Sequence, residues 1–237
     1  EYLIRTWDDK YRGEISMTDV LVHSSNVGMV YVQNKLGKKG MLAATHGFGF
    51  GEPTGIDLEE EVSADIRKDD EWKEIDLATA SFGQGITVTP IQMVRAVAAI
   101  ANGGELVEPR VVKEFRDELG KVIPIKPKKP KYVLSPRAAS VMTEMMIAAV
   151  DRGEAKWAKP KGYRIAGKTG TAQIPVAGHY DDKKTIASFV GFAPADDPKF
   201  IILVTLREPT SSPWGSETAA PLFFTIARDL FAYYGIA

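Results

Sequence analysis

The chain has 237 residues and no cysteine, which excludes disulfides and thiolate metal sites. Thirty Lys and Arg against 31 Asp and Glu leave a net charge of −1, with no electrostatic footprint for nucleic acid. Hydrophobic residues at 44% and charged residues at 26% describe an ordinary globular chain, long enough for one domain or most of one.

In chain order, Ser16 reads as an N-cap with Asp19 in the first turn. Val20, Leu21, Val27, Val30 and Val32 predict two short helices flanking Ser24–Asn26. Residues 46–75, rich in Gly, Asp and Glu, predict mostly loop. The acidic run Asp57–Glu61 reads as a solvated face, since it lacks calcium-loop spacing. Thr89-Pro90 opens a helix over about 90–102, stopped at Asn102-Gly103-Gly104. Val107–Val112 and Lys121–Ile125 predict a hairpin turning at Glu118–Lys121. Lys126–Lys131 is a basic, proline-broken connector; contact with an anionic surface is its functional alternative.

Ser135-Pro136 caps a helix to about Arg152, with Val141, Met145 and Ala148 or Ala149 on one face. Met142, Met145 and Met146 read as core filling. Tyr163–Gln173 predicts a strand, and Ile186–Pro194 with Phe200–Glu208 a hairpin around Asp196-Asp197-Pro198. A last helix runs from Ser216 or Glu217 to about Tyr234, with Leu222, Ile226 and Leu230 at helical spacing. Helices, then strands, then a final helix argue for an α+β layer architecture. No internal repeat is present. No apolar run reaches membrane-span length, and no signal peptide opens the chain.

Two motifs carry chemistry. Gly162-Tyr-Arg-Ile-Ala-Gly167-Lys168-Thr169 fits the phosphate-loop string G-x-x-x-x-G-K-[ST]. Its context does not. The preceding residues Lys156–Lys161 are polar and broken by Pro160, and Gly170, Thr171, Pro175 and Gly178 oppose the helix a phosphate needs. The alternative is that Lys168-Thr169-Gly170 pairs with Ser24-Ser25-Asn26 far upstream. Penicillin-binding proteins and serine β-lactamases combine a Ser-x-Asn element with Lys-Thr-Gly. Either tripeptide alone is weak evidence; both in this order are stronger.

Supporting segments extend the resemblance over nearly the whole chain. His46–Asp57 resembles the glycine-rich loop after Ser-x-Asn in class B penicillin-binding proteins. Ala80–Gln92 running into Met93–Gly104 resembles the turn and helix between their second and third motifs, and Ile186–Pro194 the strand after the third. The chain thus resembles the transpeptidase domain of a class B, monofunctional penicillin-binding protein. The resemblance implies an antiparallel sheet covered by helices, a helical lobe beside it, and an active site between the two.

The same resemblance implies roles. Ser24 would relay a proton to the leaving nitrogen, and Asn26 would hold the substrate's peptide backbone. Lys168 would orient Ser24 and bind the terminal carboxylate of a D-Ala-D-Ala stem peptide, with Thr169 and Thr171 adding hydroxyl hydrogen bonds. Gly170 would let backbone approach closely, and the Thr171 N–H would serve as an oxyanion donor. Expected ligands are the peptidoglycan stem peptide and β-lactams, with cell-wall synthesis or division proteins as partners. No cofactor or metal is expected, since His23, His46 and His179 lack ligand spacing. Tyr180 is a further candidate to line the cleft. The implied location is the outer face of the bacterial cytoplasmic membrane, reached through an N-terminal anchor outside this sequence.

One departure is decisive for chemistry. The family's nucleophile is the Ser of Ser-x-x-Lys, and no serine here has Lys three residues later. Only 23 residues precede Ser24, so the reading is that residues 1–237 are the C-terminal portion of a transpeptidase domain, inactive alone and prone to dimerise or aggregate. The alternatives are a non-catalytic homologue that binds stem peptide or a division partner, and a β-lactamase or β-lactam sensor. A sensor would carry Ser-x-Val at 24–26, and nothing around Glu52 or Glu59–Glu61 matches a deacylating Glu loop.

Overall fold

In a computed structural model the backbone is described at residues 3–64, 66–125, 129–176 and 179–236, with side chains except at 176 and 179–183. Lys126–Lys128 of the basic connector and the side chain of Tyr180 lie outside the described residues. The helices are α1 (Met17–Val22), α2 (Asn26–Gly47), α3 (Glu74–Ala80), α4 (Pro90–Ala101), α5 (Pro136–Arg152) and α6 (Ala219–Tyr234). Four two-residue strands precede α5: β1 (Glu105–Leu106), β2 (Phe115–Arg116), β3 (Val122–Ile123) and β4 (Lys131–Tyr132). Three long strands follow it: β5 (Ala166–Val176), β6 (His179–Ala193) and β7 (Phe200–Arg207).

Capping chemistry opens three helices where the sequence placed them, at Ser16, Thr89 and Ser135, and a fourth at Ser25. Helix α6 opens at Ala219 instead of Ser216 or Glu217, without a side-chain cap. The side chains of Ser16, Ser25, Thr89 and Ser135 each accept a backbone N–H of the first turn. Thr89 and Gln92 close a reciprocal capping box, with Pro90 at the first turn.

The long strands form one antiparallel sheet in the order β5-β6-β7. Strand alternation divides its two faces. Phe189, Ala193 and Val204 meet Phe223, Phe224, Ala227 and Phe231 of α6. Ala166 and Phe192 face the other way, against Val97 of α4 and Met146 and Ile147 of α5. Burying each such large side chain stabilises the fold by roughly 1.5–3 kcal/mol. A third cluster, Leu42, Trp72, Leu77 and Ala80, joins α2 to α3 in a helical lobe beside the sheet. This is the expected α+β arrangement.

Several local readings need correction. The buried stripe of α5 is Ala139, Met146, Ile147 and Val150, while Val141 is exposed. Ala and Met lie on several faces of that helix, so apolar spacing alone could not choose one. In α6 the buried stripe is Phe223, Ala227 and Phe231, and Leu222 is 44% exposed. The aromatic positions, not the aliphatic ones beside them, take the core because they bury more area. The predicted hairpin has its first arm at Phe115–Arg116 instead of 107–112, and turns at Asp117–Lys121. Of the two short helices expected around Ser24–Asn26, α1 is short, but α2 starts at Asn26 itself and runs 22 residues to Gly47 with a break at Gly37. Within 46–75, Glu74 already begins α3. The acidic run is more than a solvated face. Asp57 accepts the N–H groups of Val111 and Val112, and Glu61 accepts from Thr54 and Gly55.

Candidate active site

Ser24 sits in the tight connection between α1 and α2. His23 caps α1 and Ser25 caps α2, so a single residue must reverse the chain. Ser24 does so at φ 50°, one of four non-glycine positive-φ residues among those described. That region costs an L-residue roughly 1–2 kcal/mol. The turn is held by Ser24 N–H to Leu21 O at 3.2 Å and Ser25 N–H to Val20 O at 2.9 Å. The tolerated strain leaves the Ser24 hydroxyl in the cleft between helices and sheet.

Lys168 reaches that hydroxyl from β5, an edge strand of the described sheet. It pairs with Val190, and so shares the sheet face of Ala166 and Phe192, the face that α4 and α5 cover. Its Nζ donates to Ser24 Oγ at 2.9 Å, to Thr169 O at 3.0 Å and to Thr169 Oγ1 at 3.2 Å. Three acceptors match the three protons of an ammonium. Burial pulls the Lys168 pKa from 10.5 down to about 8, and the negative charge of Glu154 opposes that fall.

The remaining predicted residues line the same cleft, a hollow of about 670 Å³. Asn26 is the first residue of α2, and its Nδ2 donates to Arg5 O at 3.0 Å, so one of its donors ties down the preceding segment. Thr171 Oγ1 accepts the Gly215 N–H at 3.0 Å. A hydroxyl that accepts there retains a proton to donate. A Cβ at Gly170 would lie 2.5 Å from Ser188 Oγ, so a side chain there would require that hydroxyl to turn aside.

Sequence reasoning missed the cleft's other walls. Trp7 donates its indole N–H to His23 O at 3.1 Å and meets Trp214 with ring centroids 5.4 Å apart. Those two rings join the segment before α1 to the segment after β7. Thr185 Oγ1 donates to Pro213 O at 2.7 Å, fastening the Trp214 segment to β6. Glu154, just past α5, also reaches the cleft. Nothing in local spacing marks these residues, because each arrives through tertiary packing. Pro213-Trp214-Gly215 after a strand was the one available hint.

The phosphate-loop string does not form a phosphate loop. Gly167–Thr171 lie within β5, which continues as strand to Val176, so no helix begins at Lys168-Thr169. Among the described residues, no group of three or more His, Asp or Glu side chains is placed to hold a metal. No described helix is long and apolar enough to cross a membrane.

Comparison with known proteins agrees with this geometry. The family described as penicillin binding protein transpeptidase domain matches residues 1–230. Stage V sporulation protein D of Bacillus subtilis is 36% identical over 237 residues, covering 98% of this chain and 36% of that protein. A probable peptidoglycan D,D-transpeptidase, PenA of Neisseria flavescens, is 31% identical over 225 residues, covering 94% and 54%. Penicillin binding protein 3 of Mycobacterium tuberculosis, solved in complex with aztreonam, superposes with a TM-score of 0.87 at 32% identity, covering 93% of this chain and 52% of that one. The chain thus spans about a third to a half of the length of these relatives. With its Ser-x-Asn turn and its Lys-Thr-Gly strand brought together across one cleft, the chain belongs to the penicillin-binding-protein transpeptidase family.

Proposed function

We propose that these residues form the part of a peptidoglycan D,D-transpeptidase domain that carries its second and third motifs. The activity is cross-linking of stem peptides at the outer face of the cytoplasmic membrane, in septal or lateral wall synthesis, and the cleft is one that β-lactams occupy. The observation that carries this reading is the 2.9 Å hydrogen bond from Lys168 to Ser24 across the two layers.

The roles follow from the chemistry. Lys168 presents a partly desolvated cation to a substrate carboxylate, beside the Thr169 and Thr171 hydroxyls. Ser24 passes a proton between Lys168 and the leaving nitrogen, since a hydroxyl both accepts and donates. The Oδ1 of Asn26 receives a substrate amide, and the Thr171 N–H polarises the scissile carbonyl. No serine of the chain has Lys three residues later, so none of them is assigned as the acylated serine.

The test is binding, which needs no nucleophile. Diacetyl-Lys-D-Ala-D-Ala should bind this chain saturably by calorimetry or NMR, and its C-terminal amide should bind at least about tenfold more weakly, the loss of one charge-assisted contact. Equal affinity for acid and amide would defeat the assignment of Lys168 as carboxylate anchor. Incubation with penicillin should leave the intact mass unchanged; a stoichiometric adduct would place a nucleophile within these residues after all.

A further inference from the structure

Glu154 is a carboxylate in a place that disfavours one. It follows Gly153 at the end of α5 and lines the same cleft as Ser24 and Lys168. Its Oε1 is fully enclosed and has no hydrogen-bonding partner among the described residues. A buried carboxylate without partners is costly, and a buried ammonium is costly too. Two such groups of opposite sign in one cleft stabilise each other's charged forms through space.

We propose that Glu154 is a positioning residue for Lys168: its carboxylate, sunk in the floor of the cleft, holds Lys168 as the ammonium that hydrogen-bonds Ser24 and receives a substrate carboxylate. This deepens the reading of Lys168 as the carboxylate anchor and rests on it only for the second half of that role. The electrostatics agree. Burial pushes the Glu154 carboxyl up from its ordinary value and Lys168 pulls it back, while Glu154 in turn raises Lys168 against the effect of burial. The other charges acting on Glu154 come from the segment before α1: Asp8 raises it and Arg12 lowers it. Those two are themselves joined by an ion pair, with Arg12 Nη2 2.6 Å from Asp8 Oδ2, and they act on Glu154 in opposite directions. Beyond Glu154 lies a second hollow of about 300 Å³, whose other charged or titratable walls are Lys10, His23, Arg152 and Lys156. Lys168 is the cation on the cleft side, and its charge is the one Glu154 governs.

The experiment is an NMR titration of the ¹³Cε-labelled lysines in the unliganded chain, with the Lys168 signal assigned as the one missing from Lys168→Met. The Lys168 midpoint should lie near 8 in the parent chain. It should fall by about 0.5–1 pH unit in Glu154→Gln, and recover part of that fall in Glu154→Asp, as expected for loss of one nearby charge. A midpoint in Glu154→Gln within about 0.2 units of the parent would overturn the proposal, because that is well below the shift of one nearby opposite charge. Should Glu154→Gln not fold, the Glu154 ¹³Cδ signal of the parent provides the same test. Its titration step must also appear in the Lys168 signal, and an absent step overturns the coupling. A second readout uses diacetyl-Lys-D-Ala-D-Ala. Glu154→Gln should weaken binding about two- to fivefold at pH 8 and leave it unchanged at pH 6, where Lys168 is protonated in both proteins. Equal weakening at both values would indicate a merely structural role. The lysine titration needs no ligand, so failure of the tripeptide to bind would count against the proposed function and leave the pairing of Glu154 with Lys168 standing.

Discussion

Lys168 and Ser24 stand 144 positions apart in the chain and meet at 2.9 Å, the one from an edge strand and the other from a strained turn between two helices. Neither layer holds this contact alone. The sheet presents the cation, the helical lobe presents the hydroxyl, and both are partly removed from water. Lys168→Met keeps most of the apolar stem and deletes the charge. It should weaken binding of diacetyl-Lys-D-Ala-D-Ala by about 10- to 100-fold, the range for a hydrogen bond to a charged group. Its melting temperature should also fall, because the substitution leaves the Glu154 carboxylate buried without its opposing charge. A loss under about threefold by calorimetry would mean that the carboxylate is held elsewhere.

The pH dependence of that binding follows from the lowered pKa of Lys168. Burial lowers it to about 8, so the ammonium is the main form below that value and the neutral amine above it. Only the ammonium attracts a carboxylate. Affinity should therefore be level from about pH 6 to 7, begin to decline near 8, and drop toward tenfold per pH unit beyond it. An unperturbed lysine would hold affinity level to about pH 10. A flat profile through pH 9.5 would show that Lys168 keeps its proton in the folded chain.

How far the sequence alone could see this site depends on the residue. Ser24, Asn26 and Lys168–Thr171 were legible because they lie in short strings whose chemistry is specific. The helix starts at Ser16, Thr89 and Ser135 were legible because capping is local. Trp7, Glu154, Thr185 and Trp214 were not, since each enters the cleft from a segment with no motif of its own. The buried faces of α5 and α6 were misread for a related reason. Both helices carry two competing apolar stripes, and only the shape of the sheet beneath selects between Leu222 and Phe223.

The close approach of the Trp214 segment to the sheet predicts a sharp dependence on one glycine. A Cβ at Gly215 would lie 2.4 Å from Gly170 O and 2.5 Å from Ser188 O, both backbone atoms that cannot swing aside. Gly215→Ala should cost about 1–3 kcal/mol by overpacking, or roughly 2–12 °C in melting temperature for a domain of this size. Gly47→Ala is the control. Nothing lies within 4 Å of its added Cβ, and alanine suits the last turn of a helix, so stability should hold or rise slightly. Calorimetric scans that rank the two variants the other way would mean that the loop and strand separate readily.

Trp7 and Trp214 make the last prediction. Their rings lie 5.4 Å apart at 60°, and the Trp7 indole is anchored to His23 O, next to Ser24. Trp7 is 43% and Trp214 36% exposed, so each ring partly shields the other from solvent at the cleft. Trp7→Phe keeps a ring but loses the N–H, whereas Trp7→Ala loses both. Acrylamide quenching of the remaining tryptophans should increase in Trp7→Ala, and stability should fall by about 0.5–1.5 kcal/mol beyond the lost burial, the contribution of an aromatic pair. Trp7→Phe should restore most of the stability. Tripeptide affinity should still be reduced in Trp7→Phe if the hydrogen bond to His23 O is what steadies the Ser24 turn. Full restoration of both by Phe would assign the effect to ring contact alone and leave the turn to its own backbone hydrogen bonds from Ser24 and Ser25.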